Sequence, residues 1–138
     1  SGSYNVFLGN GAGYFNIDGS MNTFIGYISG TNNTSGNYNS FFGDSTGYSN
    51  TTGYDNTFLG ARAGYSNING GFNTFAGAMS GYMNVSGSNN TANGSYALSS
   101  NTTGSANTAI GSSALYSNTT GYSNAVTGIV VSCGVGIK

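Results

Sequence analysis

Apolar and polar positions along this chain follow a fixed beat. An Asn is followed by a short apolar run and then a Gly. The pattern returns every 17 residues, at Asn5, Asn22, Asn39, Asn56, Asn73, Asn90, Asn107 and Asn124. Nothing is inserted or lost between these starts. A constant period of this size marks a repeat architecture, in which each unit buries its apolar face only by stacking on its neighbours. With the starting Asn as column 1, seven full repeats cover residues 5–123. The expected organisation is solenoid repeats over 1–123 and a degenerate last coil, cap or junction over 124–138. Gly2 falls in column 15, so the chain starts in mid-repeat, as expected of a piece cut from a longer array.

Column 5 is Gly in every repeat (Gly9, Gly26, Gly43, Gly60, Gly77, Gly94, Gly111 and Gly128). In the seven full repeats column 12 is Asn and column 15 is Gly. Between these markers lie two segments that read as extended. Columns 2–4 run Thr-Phe-Ile or similar, and columns 7–10 run x-Ala-Gly-Tyr or x-Ala-Leu-Tyr. Gly and Asn tolerate the left-handed backbone that sharp turns need, whereas Gly this frequent argues against helix at about 1 kcal/mol each. Two strands and two turns per repeat predict an all-β fold, a parallel β-solenoid (β-roll) of about eight coils. At about 4.8 Å per coil the rod is on the order of 40 Å long. In-register stacking turns the Asn columns into side-chain amide ladders and the aromatic columns into ring stacks.

Columns 3 and 4 are both apolar in the early repeats: Phe7-Leu8, Phe24-Ile25, Phe41-Phe42, Phe58-Leu59 and Phe75-Ala76. Neighbouring strand residues point to opposite faces, so only one column lines the coil's own core. The other forms an apolar patch that should be covered. A second and third copy around a threefold axis would cover it, and the pattern leaves open which column does which. In repeats six and seven Ala92 and Ala109 replace the column-3 Phe, while Leu98 and Leu115 replace the column-9 Gly. Large and small residues trade places, which suggests a conserved cross-section. Asn93, in column 4, reads as a flaw in the core or a point of hydration.

Composition sharpens this picture. Charged residues are only 4% of the chain and Gly is 25 of 138 residues. Ordinary soluble domains carry roughly 25% charge. Like charges stacked one coil apart would repel, which accounts for their scarcity. Disorder is disfavoured by 11 Tyr and 8 Phe at regular positions. With Arg62 and Lys138 as the only basic residues, nucleic acid is not an expected partner. The apolar stretch near Gly128–Ile137 is too short for membrane insertion.

The stretches Asn107-Thr-Ala-Ile-Gly111 and Asn22-Thr-Phe-Ile-Gly26 resemble the head repeats of trimeric autotransporter adhesins. The run over 107–121 is also similar to repeats of phage-tail-fibre-like and bacterial fibre proteins. The resemblance implies a left-handed parallel β-roll in a homotrimer, at a cell surface, outside the cell or on a virion tail fibre. Many such fibres end in an endosialidase-type chaperone. The chain departs from the autotransporter heads in its longer period and in the bulky column-3 Phe.

Candidate chemistry is sparse. There is no His or Glu, and Asp18, Asp44 and Asp55 fall in different columns, so no acid–base dyad or repeating calcium site is expected. Cys133 has no His partner and reads as a buried structural thiol. Gly-x-Gly at Gly9–Gly13 and Gly134–Gly136 reads as turn rather than phosphate loop. No enzyme, metal or cofactor is therefore expected. The column-10 residues Tyr14, Tyr48, Tyr65, Tyr82 and Tyr116 read first as a stiffening ladder and second as platforms for glycans. Tyr38, Tyr54, Phe72 and Tyr122, near the turns, are better candidates for ligand contact, such as surface glycans or a host cell surface. Asn-x-Ser/Thr sequons at Asn32, Asn33, Asn50, Asn84, Asn89, Asn93, Asn101 and Asn118 follow largely from composition. The leading expectation is a non-catalytic, self-associating fibre segment for attachment or host or prey recognition. The alternatives are an ice-binding solenoid, suggested by Thr23, Thr57, Thr74, Thr91 and Thr108 in column 2, and a self-assembling filament subunit.

Overall fold

The computed structural model describes residues 2–128. Each coil contributes one three-residue strand from columns 2–4: β1 (Val6–Leu8), β2 (Thr23–Ile25), β3 (Ser40–Phe42), β4 (Thr57–Leu59), β5 (Thr74–Ala76), β6 (Thr91–Asn93), β7 (Thr108–Ile110) and β8 (Ala125–Thr127). They pair in parallel and in chain order, making one eight-stranded sheet. Register is the repeat itself, with Phe7 opposite Phe24, Phe24 opposite Phe41 and so on. Eight strands joined this way make seven turns of a β-solenoid. Asn124 and β8 still follow the repeat, since β8 pairs with β7 in the same register. Cys133, Gly134–Gly136, Lys138 and the rest of the degenerate coil lie outside the described residues.

The second strand expected over columns 7–10 does not form. Columns 5–12 instead make consecutive turns, closed in the first coil by Ala12 N–H to Gly9 C=O (3.3 Å), Tyr14 N–H to Gly11 C=O (3.4 Å) and Asn16 N–H to Gly13 C=O (2.9 Å). The cause lies in columns 7 and 9, which both hold positive φ: Gly11 at 72° and Gly13 at 59° in the first coil. A strand cannot contain alternate left-handed residues, so the chain curls. The backbone still bonds from coil to coil there, as Gly13 N–H donates to Ser29 C=O at 2.9 Å. Column 7 takes positive φ even without Gly, at Ile28 (46°), Arg62 (59°) and Met79 (57°). Each such residue costs about 1–2 kcal/mol. The stack fixes them through bonds such as Ile28 N–H to Asn10 C=O and Arg62 N–H to Asp44 C=O, both 2.8 Å.

Column 3 faces the core and column 4 faces out. Phe24, Phe41, Phe58 and Phe75 have zero exposure, as do Ala92 and Ala109, while Asn93 is exposed and so is no flaw in the core. The five Phe rings stack at centroid spacings of 4.7–5.0 Å and interplanar angles of 3–12°. Each buried ring contributes about 1.5–3 kcal/mol of transfer free energy, and each stacked pair about 0.5–1.5 kcal/mol more. Column-9 Gly lies against this ring. A Cβ on Gly13 would stand 2.6 Å from Phe7 Cε2, and the rings of Phe24, Phe41, Phe58 and Phe75 block Gly30, Gly47, Gly64 and Gly81 in the same way. Where column 3 shrinks to Ala, the space is filled by Leu98 and Leu115, both buried and both in the left-handed conformation at 52° and 51°. The exchange of sizes visible in the sequence is therefore one of direct contact.

The other half of the interior is amide. Columns 1 and 12 place Asn22, Asn33, Asn39, Asn50, Asn56, Asn67, Asn73, Asn84, Asn90, Asn101 and Asn107 at zero exposure. In column 12 each Nδ2 divides its two hydrogens. Asn67, for instance, donates one to Asn50 Oδ1 (2.8 Å) and one to Gly70 C=O (3.1 Å). In column 1, Oδ1 of each Asn accepts the backbone N–H of the next, as from Asn5 to Asn22 (2.9 Å) and from Asn56 to Asn73 (3.0 Å). Its Nδ2 reaches the column-15 carbonyl, as from Asn56 to Gly70 (2.8 Å). Both ladders thus meet on one row of Gly carbonyls. Among the described residues no buried side-chain polar atom lacks a partner. This satisfies the rule that buried polar groups must be hydrogen-bonded or be costly.

Candidate functional site

The fold divides the sequence-predicted residues into interior and surface. Asn5, Asn22, Asn39, Asn56, Asn73 and Asn107 belong to the column-1 ladder, and Asn5 Nδ2 donates to Gly19 C=O at 2.7 Å. Gly9, Gly26, Gly43, Gly60, Gly77 and Gly111 turn the chain after each strand at φ of 125–142°. Their stacking is close: a Cβ on Gly111 would stand 3.1 Å from Gly128. Phe7, Phe24, Phe41, Phe58 and Phe75 are core residues, with Phe7 partly exposed in the end coil. Surface function therefore falls to the outward columns.

Three surfaces run along the rod. The first is the outer face of the sheet, where columns 2 and 4 project together. Leu8, Leu59 and Ile110 are exposed on it, Leu59 at 54%, and Ile25, Phe42 and Ala76 are half-buried. Beside them stands the Thr column, in register at the strand spacing of about 4.8 Å. The second is a groove of about 470 Å³ between columns 11 and 13, lined by Phe15, Ile17, Asn32, Thr34, Ser49, Thr51 and Ile68. It escapes the sequence reading because column 13 alternates between Thr (Thr34, Thr51, Thr102 and Thr119) and apolar residues, so Ile17 and Ile68 look like isolated turn residues.

The third surface is the edge formed by columns 16 and 17, before each strand. Tyr38 and Phe72 occupy column 17, and Tyr54 and Tyr122 occupy column 16. All four are exposed. Tyr54 and Phe72 meet edge to face, with centroids 5.1 Å apart and planes at 80°. Tyr122, in the seventh coil, stands apart from them. Sequence reasoning passed over Tyr4, which lies in column 17 before the first full repeat and is 82% exposed. Its spacing of twice the repeat from Tyr38 was the available signal. In column 10, Tyr48, Tyr65 and Tyr82 stack at 5.1 and 5.3 Å as a half-buried ladder. Tyr14 instead packs edge to face on Phe15.

Among the described residues no reactive constellation accompanies these surfaces. Among the described residues no three His, Cys, Asp or Glu side chains come together. Asp44 Oδ2 accepts a hydrogen bond from Ser45 Oγ at 2.9 Å. Among the described residues no helix is long and apolar enough to cross a membrane. Comparison with family models, curated proteins and solved structures finds no match to this chain.

Proposed function

We propose that this chain is a non-catalytic structural segment of an extracellular attachment fibre, and that it works as a homotrimer at a cell or virion surface. The observation that carries the reading is the outward column 4. Leu8, Ile25, Phe42, Leu59 and Ala76 form an apolar strip along a sheet face that a single chain leaves in water, interrupted by Asn93 and resumed at Ile110. Covering such a strip is worth about 25 cal/mol per Å² of apolar surface. A second and third copy present the same strip in the same register, and closed symmetry prevents open-ended aggregation. The uncharged interior, with its buried side-chain polar atoms hydrogen-bonded, suits a structural role rather than a reacting one. The rod's remaining surfaces are free to meet surface glycans or a host cell. The test is the mass of the Ile25→Asn/Leu59→Asn variant, since both side chains project from the strip and neither belongs to the core. A fall from three chains to one supports the reading, whereas a wild-type chain that is itself a clean monomer removes it.

A second reading is favoured by one specific observation. The column-2 Thr side chains face outward, not into the core, so they form a ladder on the sheet face. Such a ladder suits ordered water and hence an ice surface. Bulky Leu59 and Ile110 in the neighbouring column roughen that face, which weighs against it. Absence of thermal hysteresis in the purified protein excludes this reading.

A further inference from the structure

We infer that the column-17 edge is a binding platform for an extended, neutral, β-1,4-linked polysaccharide lying along the rod, with Tyr4, Tyr38 and Phe72 as its stacking rings. This deepens the attachment reading and rests on it. The three aromatics stand in alternate coils, because each is 34 residues from the next. Two coil spacings are about 10 Å, which matches the disaccharide repeat of a fully extended β-1,4 glycan, where every second sugar offers the same flat face. All three are exposed, Tyr38 at 56% and Phe72 at 52%. All three also hold φ of 58–59°, a left-handed conformation in which aromatic side chains are costly. Asn89, Ala106 and Ser123 take the same conformation in later coils, so the fold does not itself require rings there. Bonds from column-17 N–H to the preceding column-16 carbonyl fix the rank, at 3.1 Å for both Tyr38 to Ser20 and Phe72 to Tyr54.

Polar groups between the rings suit sugar hydroxyls. In column 16 the N–H groups of Ser3, Ser20, Gly71 and Ser88 are each satisfied by the next column-16 side chain. Ser20 N–H donates to Asn37 Oδ1 (2.8 Å) and Gly71 N–H to Ser88 Oγ (3.1 Å). The ladder breaks where Tyr54, Gly71 and Tyr122 fill that column. There the N–H groups of Asn37, Tyr54 and Ser105 have no acceptor among the described residues. The first two of these donors lie beside Tyr38 and Phe72, where with the rings they suit a ligand rich in hydroxyls. Asp55, exposed in column 17 between the same rings, can accept hydroxyl hydrogens and repels acidic sugars. Tyr54 is a positioning residue, its ring nearly perpendicular to that of Phe72 at 5.1 Å. An α-1,4 glucan coils and cannot meet rings on a straight line.

Titration of the full chain with cellohexaose and with chitohexaose, followed by NMR, tests this. Saturable binding of either, with shifts confined to Tyr4, Met21, Tyr38, Asp55, Phe72 and their neighbours, is the expected result. Tyr38→Asn and Phe72→Asn, which keep a side chain tolerant of left-handed backbone, should each weaken binding by about tenfold. Tyr116→Ala, outside the rank, should not. The double variant Tyr38→Asn/Met21→Tyr keeps the number of rings but breaks the two-coil spacing, and it should stay weak. Failure of both hexasaccharides to bind, equal binding of maltohexaose, or recovery in that double variant overturns the proposal. The rank lies on each single chain, so a monomeric mass would refute the trimeric fibre without touching the platform, and a failed titration would do the reverse.

Discussion

At the scale of single residues the molecule is governed by one exchange, between column 3 and column 9. Phe in the first demands Gly in the second, because the ring occupies the place of a Cβ. Ala in the first admits Leu98 or Leu115 in the second. This gives a prediction at the boundary coil. Phe75→Ala alone should destabilise by about 3–5 kcal/mol, as buried aromatic truncations do. Gly81→Leu alone should destabilise too, through collision with the Phe75 ring. Together they recreate the Ala92/Leu98 arrangement of the next coil, so the double variant should recover much of the loss, with a coupling energy of about 2 kcal/mol. Urea midpoints of the four proteins measure it, and simple additivity would contradict the contact. This feature was legible in the sequence because both columns change in the same two repeats. The outward direction of column 4 was not, since Phe and Leu are equally apolar and a three-residue strand shows no longer alternation.

At the scale of the element, each coil is held less by its strand than by its amides and turns. Asn67 donates to Asn50 Oδ1 and Gly70 C=O and accepts from Asn84 Nδ2 at 2.8 Å. Asn67→Ala should therefore cost about 1–3 kcal/mol for each buried group it orphans. Asn69→Ala, exposed in the same coil, should stay within about 0.5 kcal/mol of the parent. Thermal unfolding of the two variants compares them directly. The ladders and the column-5 turn could be read from the period alone, because in-register stacking makes equal residues neighbours. The columns 7–10 segment could not. Its Ala and Tyr suggest a strand, but left-handed φ at columns 7 and 9 is accepted by Ile28, Met79 and Leu98, residues that carry no signal for it. There the coil-to-coil hydrogen bonds override local preference.

At the scale of the whole molecule, stacking of this kind makes a one-dimensional object whose coils stabilise their neighbours. Its interior is saturated with hydrogen bonds and stacked rings, so interaction is left to the outward columns. The apolar strip of column 4 is the sheet face that a single chain leaves uncovered. The central claim is that copies of the chain cover it. Light scattering on the purified protein at micromolar concentration tests that claim most directly. The account predicts one species at three times the 13.9 kDa chain mass. A homogeneous species at the mass of one chain would contradict it.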